Sequence, residues 1–135
     1  MKHLLFSFLL FLSVAARCQG GTYLPAVSSS TALIHPIAQR AQYIQADSVV
    51  IVYGSVFLNG APQAGYPVSI TISVPVPTNL AVDPYTLRGF AKVWQSGAPP
   101  LDAQVQNNSI AVQIRYTPTV SFPGNLIYNF SYIIH

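Results

Sequence analysis

Charged residues are scarce in this sequence, and acidic residues are the scarcest. It contains no glutamate, and its only acids are Asp47, Asp83 and Asp102, which stand far apart along the chain. Paired carboxylates carry out much of the acid–base chemistry of hydrolases, and each aspartate here lies where a turn or capping role explains it. No Gly-x-Ser-x-Gly nucleophile motif is present either. We therefore expect no catalytic residues and a protein that is not an enzyme.

Metal-ligating side chains and cysteines are equally rare. The histidines beyond position 3 are His35 and His135, whereas a protein metal site usually needs three or four ligands. We expect His35 to be a strand-edge residue and His135 to be solvated, with no metal and no cofactor bound. The single cysteine, Cys18, cannot form a disulfide within the chain, so the core alone must stabilise the fold.

The N-terminal segment has the three parts of a secretory signal peptide. Lys2 gives a basic start, Leu4 to Leu12 form an apolar run, and small residues follow up to Ala16. The run is too short to span a membrane, which takes about 20 residues. If cleavage precedes Gln19, Ala16 and Cys18 occupy positions −3 and −1, an arrangement that resembles the signal peptides of the Bacteroidetes.

Cys18 has a second interpretation, as the lipid-modified first residue of a lipoprotein. Lipoprotein signals usually place a small residue before that cysteine, and here the residue is Arg17. With either interpretation we expect an exported protein that is periplasmic, on the cell surface or extracellular, without a membrane span.

The charge balance disfavours a nucleic-acid partner. Of six basic residues, Lys2 and Arg17 lie before Gln19, so four remain against three aspartates and leave a net charge of +1. No basic cluster remains that would neutralise phosphates.

The chain predicts a single all-β domain. We expect a signal peptide over residues 1–18, a linker with a possible first edge strand over 19–46, and the folded domain over 47–135. Residues 19–30 are rich in Gly and Ser, as linkers are. In residues 31–46, Pro36 limits a first strand to a sheet edge, and a short stretch has weak helical character.

Segments of strand length recur from Asp47 onward. Residues 68–74 and 109–116 alternate apolar and polar side chains, whereas residues 49–53 are apolar throughout, which is typical of a strand covered on both faces. Clusters of Gly, Pro and Asn separate the segments. Six or seven such segments without an intervening helix predict an antiparallel immunoglobulin-like β-sandwich.

One stretch carries a family resemblance. Residues 54–72, GSVFLNGAPQAGYPVSITI, contain Gly-x-Val, Asn-Gly-x-Pro, a further Gly and Val-x-Ile in that order. The pattern resembles the opening hairpin of bacterial immunoglobulin-like and carboxypeptidase-regulatory-like domains. The resemblance implies a secreted β-sandwich module that serves as a spacer, an adhesin repeat or an accessory domain, and it implies no catalytic residue.

The segment 87–94, LRGFAKVW, is a candidate ligand or partner strip. Strand alternation separates a small apolar face from a face of cations and aromatics, which holds Arg88, Phe90, Lys92 and Trp94. Aromatic rings stack on the apolar faces of sugars, and cations stack on aromatic rings, so the strip suits a glycan or a protein partner. Alternatively, a bulge at Gly89 turns Phe90 and Trp94 into the core, or the cations simply extend from a sheet margin.

The last segment, residues 125–135, is apolar and strand-like, and one of its faces holds Leu126, Tyr128, Phe130, Tyr132 and Ile134. Such a strand must be paired and covered to avoid aggregation, so its simplest role is to complete the protein's own sheet. The strands carry few of the charges that usually protect a free edge. The alternative is a pilin-like subunit that assembles by strand addition, with Tyr128, Phe130, Tyr132 and Ile134 on the assembly strand. Many such subunits carry a cysteine pair that is missing here.

Overall fold

The computed structural model describes residues 18–75, 87–108 and 111–134, which form ten strands and no helix. In chain order the strands are β1 (Cys18–Tyr23), β2 (Val27–Ser29), β3 (Ile34–Ala38), β4 (Ala41–Ala46), β5 (Val49–Gly60), β6 (Val68–Ser73), β7 (Arg88–Gln95), β8 (Leu101–Asn108), β9 (Ala111–Tyr116) and β10 (Gly124–Ile133). The all-β prediction is confirmed. The strand count is higher than the six or seven expected, and the immunoglobulin-like arrangement stays a prediction.

The strands pair antiparallel throughout and form one curled sheet. Its order is β1-β4-β5-β10-β7-β8-β9-β6-β2, with β3 paired to β5 next to β4. We call the part from β1 to the start of β8 sheet A, and the part from the end of β8 to β2 sheet B. β8 belongs to both, because Leu101–Ala103 pair with β7 and Gln104–Asn108 pair with β9.

One hydrophobic core joins the inward side chains of both sheets. The alternation predicted for β6 and β9 is confirmed, since Val68, Ile70 and Ile72 are buried on β6 and Val112, Ile114 and Tyr116 on β9. β10 contributes a stack of aromatic rings, with Tyr128 and Phe130 centroids 5.7 Å apart and Phe130 and Tyr132 centroids 6.2 Å apart.

β5 is long enough to pair with two successive strands on the same side. Its first half pairs with β4 and its second half with β3, and Gln39, Arg40 and Ala41 lie opposite only two β5 residues. The extra residue makes a bulge in the partner strand, opposite Gly54, while β5 keeps a regular register with β10. A two-residue turn at Asp47–Ser48 joins β4 to β5, and Asp47 has the positive φ of 52° that such tight hairpins require.

Residues 18–46 contain more regular structure than their composition predicted. Four strands form there, including β1 in the Gly-rich stretch and β4 where weak helical character was noted. β1 pairs with β4 along its full length, and β2 pairs with β6, so backbone hydrogen bonds to stronger strands support both. Residues 1–17 of the predicted signal peptide, Asp83 and His135 lie outside the described residues.

Candidate functional site

β7 turns its cations and aromatics outward. Phe90 is 61% exposed and Trp94 is 49% exposed, whereas Ala91 and Val93 are buried in the core. β7 pairs with β10 in regular register from Arg88 to Gln95, so Gly89 does not shift the alternation. The bulge considered above, which would have buried Phe90 and Trp94, does not occur.

The register of sheet A extends this outward face across three more strands. Trp94 lies opposite Asn125 on β10, which lies opposite Phe57 on β5 and in turn Ile37 on β3. A second row runs through Phe90, Asn129, Tyr53 and Gln42. The two aromatic rows are four residues apart along the strands, and Ile127 of β10 lies between them.

Together these rows form a broad apolar surface on the outside of sheet A. Nine large apolar side chains are exposed there, each by between 36% and 61% of its surface. They are Ile37, Ile44, Val49, Ile51, Tyr53, Phe57, Phe90, Trp94 and Ile127, and we call this set the platform. The expectation that both faces of β5 are covered is therefore not met among the described residues, because Val49, Ile51, Tyr53 and Phe57 all belong to it.

Within the four strands β4, β5, β10 and β7, charged residues occur only on β7, and Arg40 lies in the bulge between β3 and β4. The Lys92 ammonium lies 3.5 Å from the Asp102 carboxylate on β8, and both side chains are at least half exposed. An exposed pair of this kind contributes little to stability. The Arg88 guanidinium donates a hydrogen bond of 2.9 Å to the Leu87 carbonyl. The centre of the platform, on β5 and β10, carries only neutral side chains.

Neutral polar side chains lie between the apolar side chains of the platform. Asn125 and Asn129 lie between the aromatic residues of each row, and Tyr53 donates a hydrogen bond to the Gln42 side-chain oxygen. Ser55 donates likewise to Gln39 at the bulge. The surface therefore offers apolar area together with amide donors and acceptors.

The outer face of sheet B has a different character. The side chains that alternate with its core residues are hydroxyls, amides and one guanidinium, from Ser69, Thr71, Ser73, Gln104, Gln106, Gln113 and Arg115. Such a face is suited to water. The two outer faces therefore differ, and the apolar surface lies on sheet A.

β10 occupies the middle of sheet A. Gly124–Ile133 pair with β5 on one side, and Gly124–Ser131 pair with β7 on the other. Tyr128, Phe130 and Tyr132 point into the core, and the Ile134 N–H donates to the Ser48 carbonyl at 2.8 Å. The candidate assembly strand therefore has both backbone edges occupied within the same chain, which is the simpler of the two roles expected from the sequence.

The tyrosines of this core are strongly desolvated. Burial raises the pKa of Tyr116 to about 12. Burial also raises the pKa of Tyr128 to about 12. For Tyr23 and Tyr132, burial raises the pKa further above the ordinary value. These hydroxyls stay protonated at neutral pH and act as structural groups.

Among the described residues, the strand order ends at β1 and β2, and β3 also has one unpaired edge because it pairs only with β5. β2 has only three residues, and short edge strands resist pairing with other chains. β1 has six residues with neither a charge nor a proline. An exposed edge available for strand addition is therefore found at β1 rather than at β10.

An open cleft of about 440 Å³ lies where β8 passes from sheet A to sheet B. It is lined by Pro67, Leu101, Asp102, Gln104, Arg115, Tyr116 and Thr117. Asp102 is already engaged by Lys92, and no histidine, cysteine or glutamate is among the lining residues.

The remaining residues considered from the sequence lie apart. Asp47 is in the β4–β5 turn, and His35 is exposed on β3 opposite Asn59. Within residues 18–75, 87–108 and 111–134, no three His, Cys, Asp or Glu side chains gather as metal ligands would. The described part of the chain also contains no helix of the length and apolarity needed to cross a membrane.

Sequence reasoning found the β7 part of the platform but missed the rest. The remaining residues, Ile37, Ile44 and the outward side chains of β5, share a face with β7 only because β10 pairs with β5 on one side and with β7 on the other. The sequence signal for this surface was the continuous apolar run of β5, since that run predicted a second covered face.

Comparison with models of known families finds no match for this chain, and a search of curated proteins finds none either.

Proposed function

We propose that this protein is a non-enzymatic, exported β-sandwich module of the immunoglobulin-like kind, which acts by binding or assembly at the cell surface or in the periplasm. The platform is its contact surface. One observation carries the proposal: nine large apolar side chains are exposed on a single sheet face while the opposite outer face is polar. Monomeric soluble proteins rarely expose a contiguous apolar patch beyond a few hundred Å² unless it binds something.

Support for export comes from the N-terminal sequence. A basic start, a short apolar run and small residues before Gln19 are the parts of a signal peptide. The alternative treatment of Cys18 as a lipid-modified residue leads to the same compartment. The non-enzymatic role is supported by the separation of Asp47, Asp102 and His35.

Binding to washed envelopes of the producing cells tests this proposal. We expect the purified protein to bind saturably, and Phe57→Asp to weaken that binding by at least about ten-fold, because the substitution places a charge on the apolar surface. The matched control is Thr71→Asp on the outer face of sheet B. The proposal is overturned if neither envelope binding nor self-association is detected, or if both variants behave alike.

Glycan binding is the second candidate, and the exposure of Phe90 and Trp94 favours it. Their rings are accessible to stack on sugar faces, and Asn125 and Asn129 beside them can bond to hydroxyls. Trp94 is the only tryptophan, so its emission reports directly on ligand contact. We expect a blue shift on titration with a recognised polysaccharide, and no shift in Phe90→Ser. A Trp94 emission that no polysaccharide changes would exclude this candidate.

The pilin-like alternative stays a prediction, with β1 instead of β10 as the strand that pairs with a neighbouring chain. With β10 engaged on both sides, an incoming strand would pair with β1, whose six residues carry no protective charge or proline. Replacement of Thr22 by proline would remove a backbone donor from β1 and test that edge.

A further inference from the structure

β5 is apolar on both faces, yet the described residues cover only one of them. Val50, Val52, Val56 and Leu58 face the core, whereas the side chains that alternate with them face outward on the platform. A strand with a continuous apolar run is typically buried on both faces. The outer face of β5 therefore has the composition of an interface.

We propose that a second copy of this chain covers the platform, face to face, in a two-fold symmetric dimer. The inference rests on the proposed function and names its partner. A two-fold axis that lies in the interface and runs along β10 places β7 of each copy over β5 of the other. Each partner then contributes the same surface, as a closed dimer requires.

The size of the platform fits such a contact. It spans four strands from β4 to β7 and eight residue steps from Val49 to Phe57. With strands about 4.8 Å apart and a rise of about 3.3 Å per residue, each copy contributes roughly 500 Å². Two copies bury about 1,000 Å² or more, which is the lower bound for a specific protein interface.

The charge distribution also fits. Among the four strands β4, β5, β10 and β7, positive charges occur only on β7, whereas β4 and β5 carry aliphatic side chains. The proposed axis places Arg88 of one copy over Ile51 of the other, so cations do not meet cations. The same operation sets Phe90 opposite Tyr53 and Trp94 opposite Phe57, and aromatic pairs of this kind stabilise packed interfaces. Sheets packed face to face lie about 10 Å apart, which leaves room for such pairs.

Light scattering after size exclusion, across a wide range of concentrations, tests the dimer. We expect the mass of the purified protein to rise from one chain to two, with a parallel blue shift of Trp94 emission. Ile127 lies on the central strand of the platform and is 47% exposed. We expect Ile127→Lys to weaken dimerisation by at least about thirty-fold, as at the centre of an interface, while Thr71→Lys on sheet B leaves it unchanged.

Unfolding by denaturant, measured for both variants, separates loss of the interface from loss of the fold, and Ile51→Lys provides a second test of the same surface. A monomer mass at every concentration, with Trp94 freely quenched, would overturn the dimer. Concentration-dependent mass that Ile127→Lys and Ile51→Lys leave intact would also overturn it, since association would then use another surface. A monomer whose envelope binding is still lost in Phe57→Asp would overturn the dimer but support the proposed function.

Discussion

Gly54 lies at a position where sheet A is tightly packed. A Cβ atom at this position would lie 2.5 Å from the Tyr128 hydroxyl and 2.8 Å from the Ala41 Cβ. Ala41 belongs to the bulge opposite, and Tyr128 belongs to the core stack of β10. The glycine therefore allows the bulge and the central strand to approach each other.

We expect Gly54→Ala to destabilise the protein by about 1–3 kcal/mol, because the added methyl group must displace a buried ring or the bulge. The free energy of unfolding in denaturant measures this. Thr71→Ser, on the outer face of sheet B, is the control and should change stability by less than about 0.5 kcal/mol. Equal effects of the two substitutions would contradict the close packing at Gly54.

The buried tyrosines predict a loss of stability at alkaline pH. Tyr116 and Tyr128 each have a folded-state pKa raised to about 12, whereas an unfolded tyrosine ionises near about 10. Above pH 10 the unfolded chain therefore releases protons that the folded chain keeps. The contribution of these tyrosines to stability is constant below about pH 10 and falls toward pH 12, by at most about 1.4 kcal/mol per pH unit for each such group.

Denaturant midpoints measured against pH test this dependence. Tyr128→Phe should make the alkaline decline shallower, because one ionisable group is removed from the core. The exposed Tyr66 provides the control, and Tyr66→Phe should leave the decline unchanged. A midpoint that stays constant up to pH 12 would show that these hydroxyls ionise as freely in the folded protein as in the unfolded chain.

Among the elements, β10 should be the most stable strand and β1 and β2 the least. β10 uses both backbone edges, whereas β1 and β2 each use one. Amides of β10 should therefore exchange with solvent only through global unfolding, and those of β1 and β2 through cheaper local opening. Hydrogen exchange followed by mass spectrometry measures this directly. Protection of β1 equal to that of β10 would mean that another chain covers the β1 edge.

The elements also show how far sequence reasoning reaches. β6, β9 and β10 were predictable because one face of each is apolar and the other polar, a pattern that burial imposes on a strand. β1 was not predictable, since CQGGTY has little strand propensity and depends on its pairing with β4. The outward face of β7 followed from alternation alone. The platform did not, because its β5 and β7 halves become neighbours only through β10, which follows both in sequence.

At the scale of the whole molecule, the shortage of charge sets how solution conditions should affect association. The platform is apolar at its centre, so its contacts should depend on water exclusion rather than on ion pairing. We expect sodium chloride to leave the dissociation constant of the dimer within about two-fold and sulfate to strengthen association, since sulfate favours apolar burial. Sedimentation at several salt concentrations measures this. A marked weakening by sodium chloride would instead indicate a contact through Arg88 and Lys92.

The position of β10 has a consequence for the order of events during synthesis. β5 and β7 lie on opposite sides of it, and neither pairs with the other. Until β10 is made, sheet A consists of two separate fragments, and the contacts that join them span a large part of the chain. Such long-range pairing makes folding slow. A chain synthesised from its N-terminal end therefore cannot complete sheet A until residues 124–133 are made, and until then β5 and β7 lack the strand that both pair with.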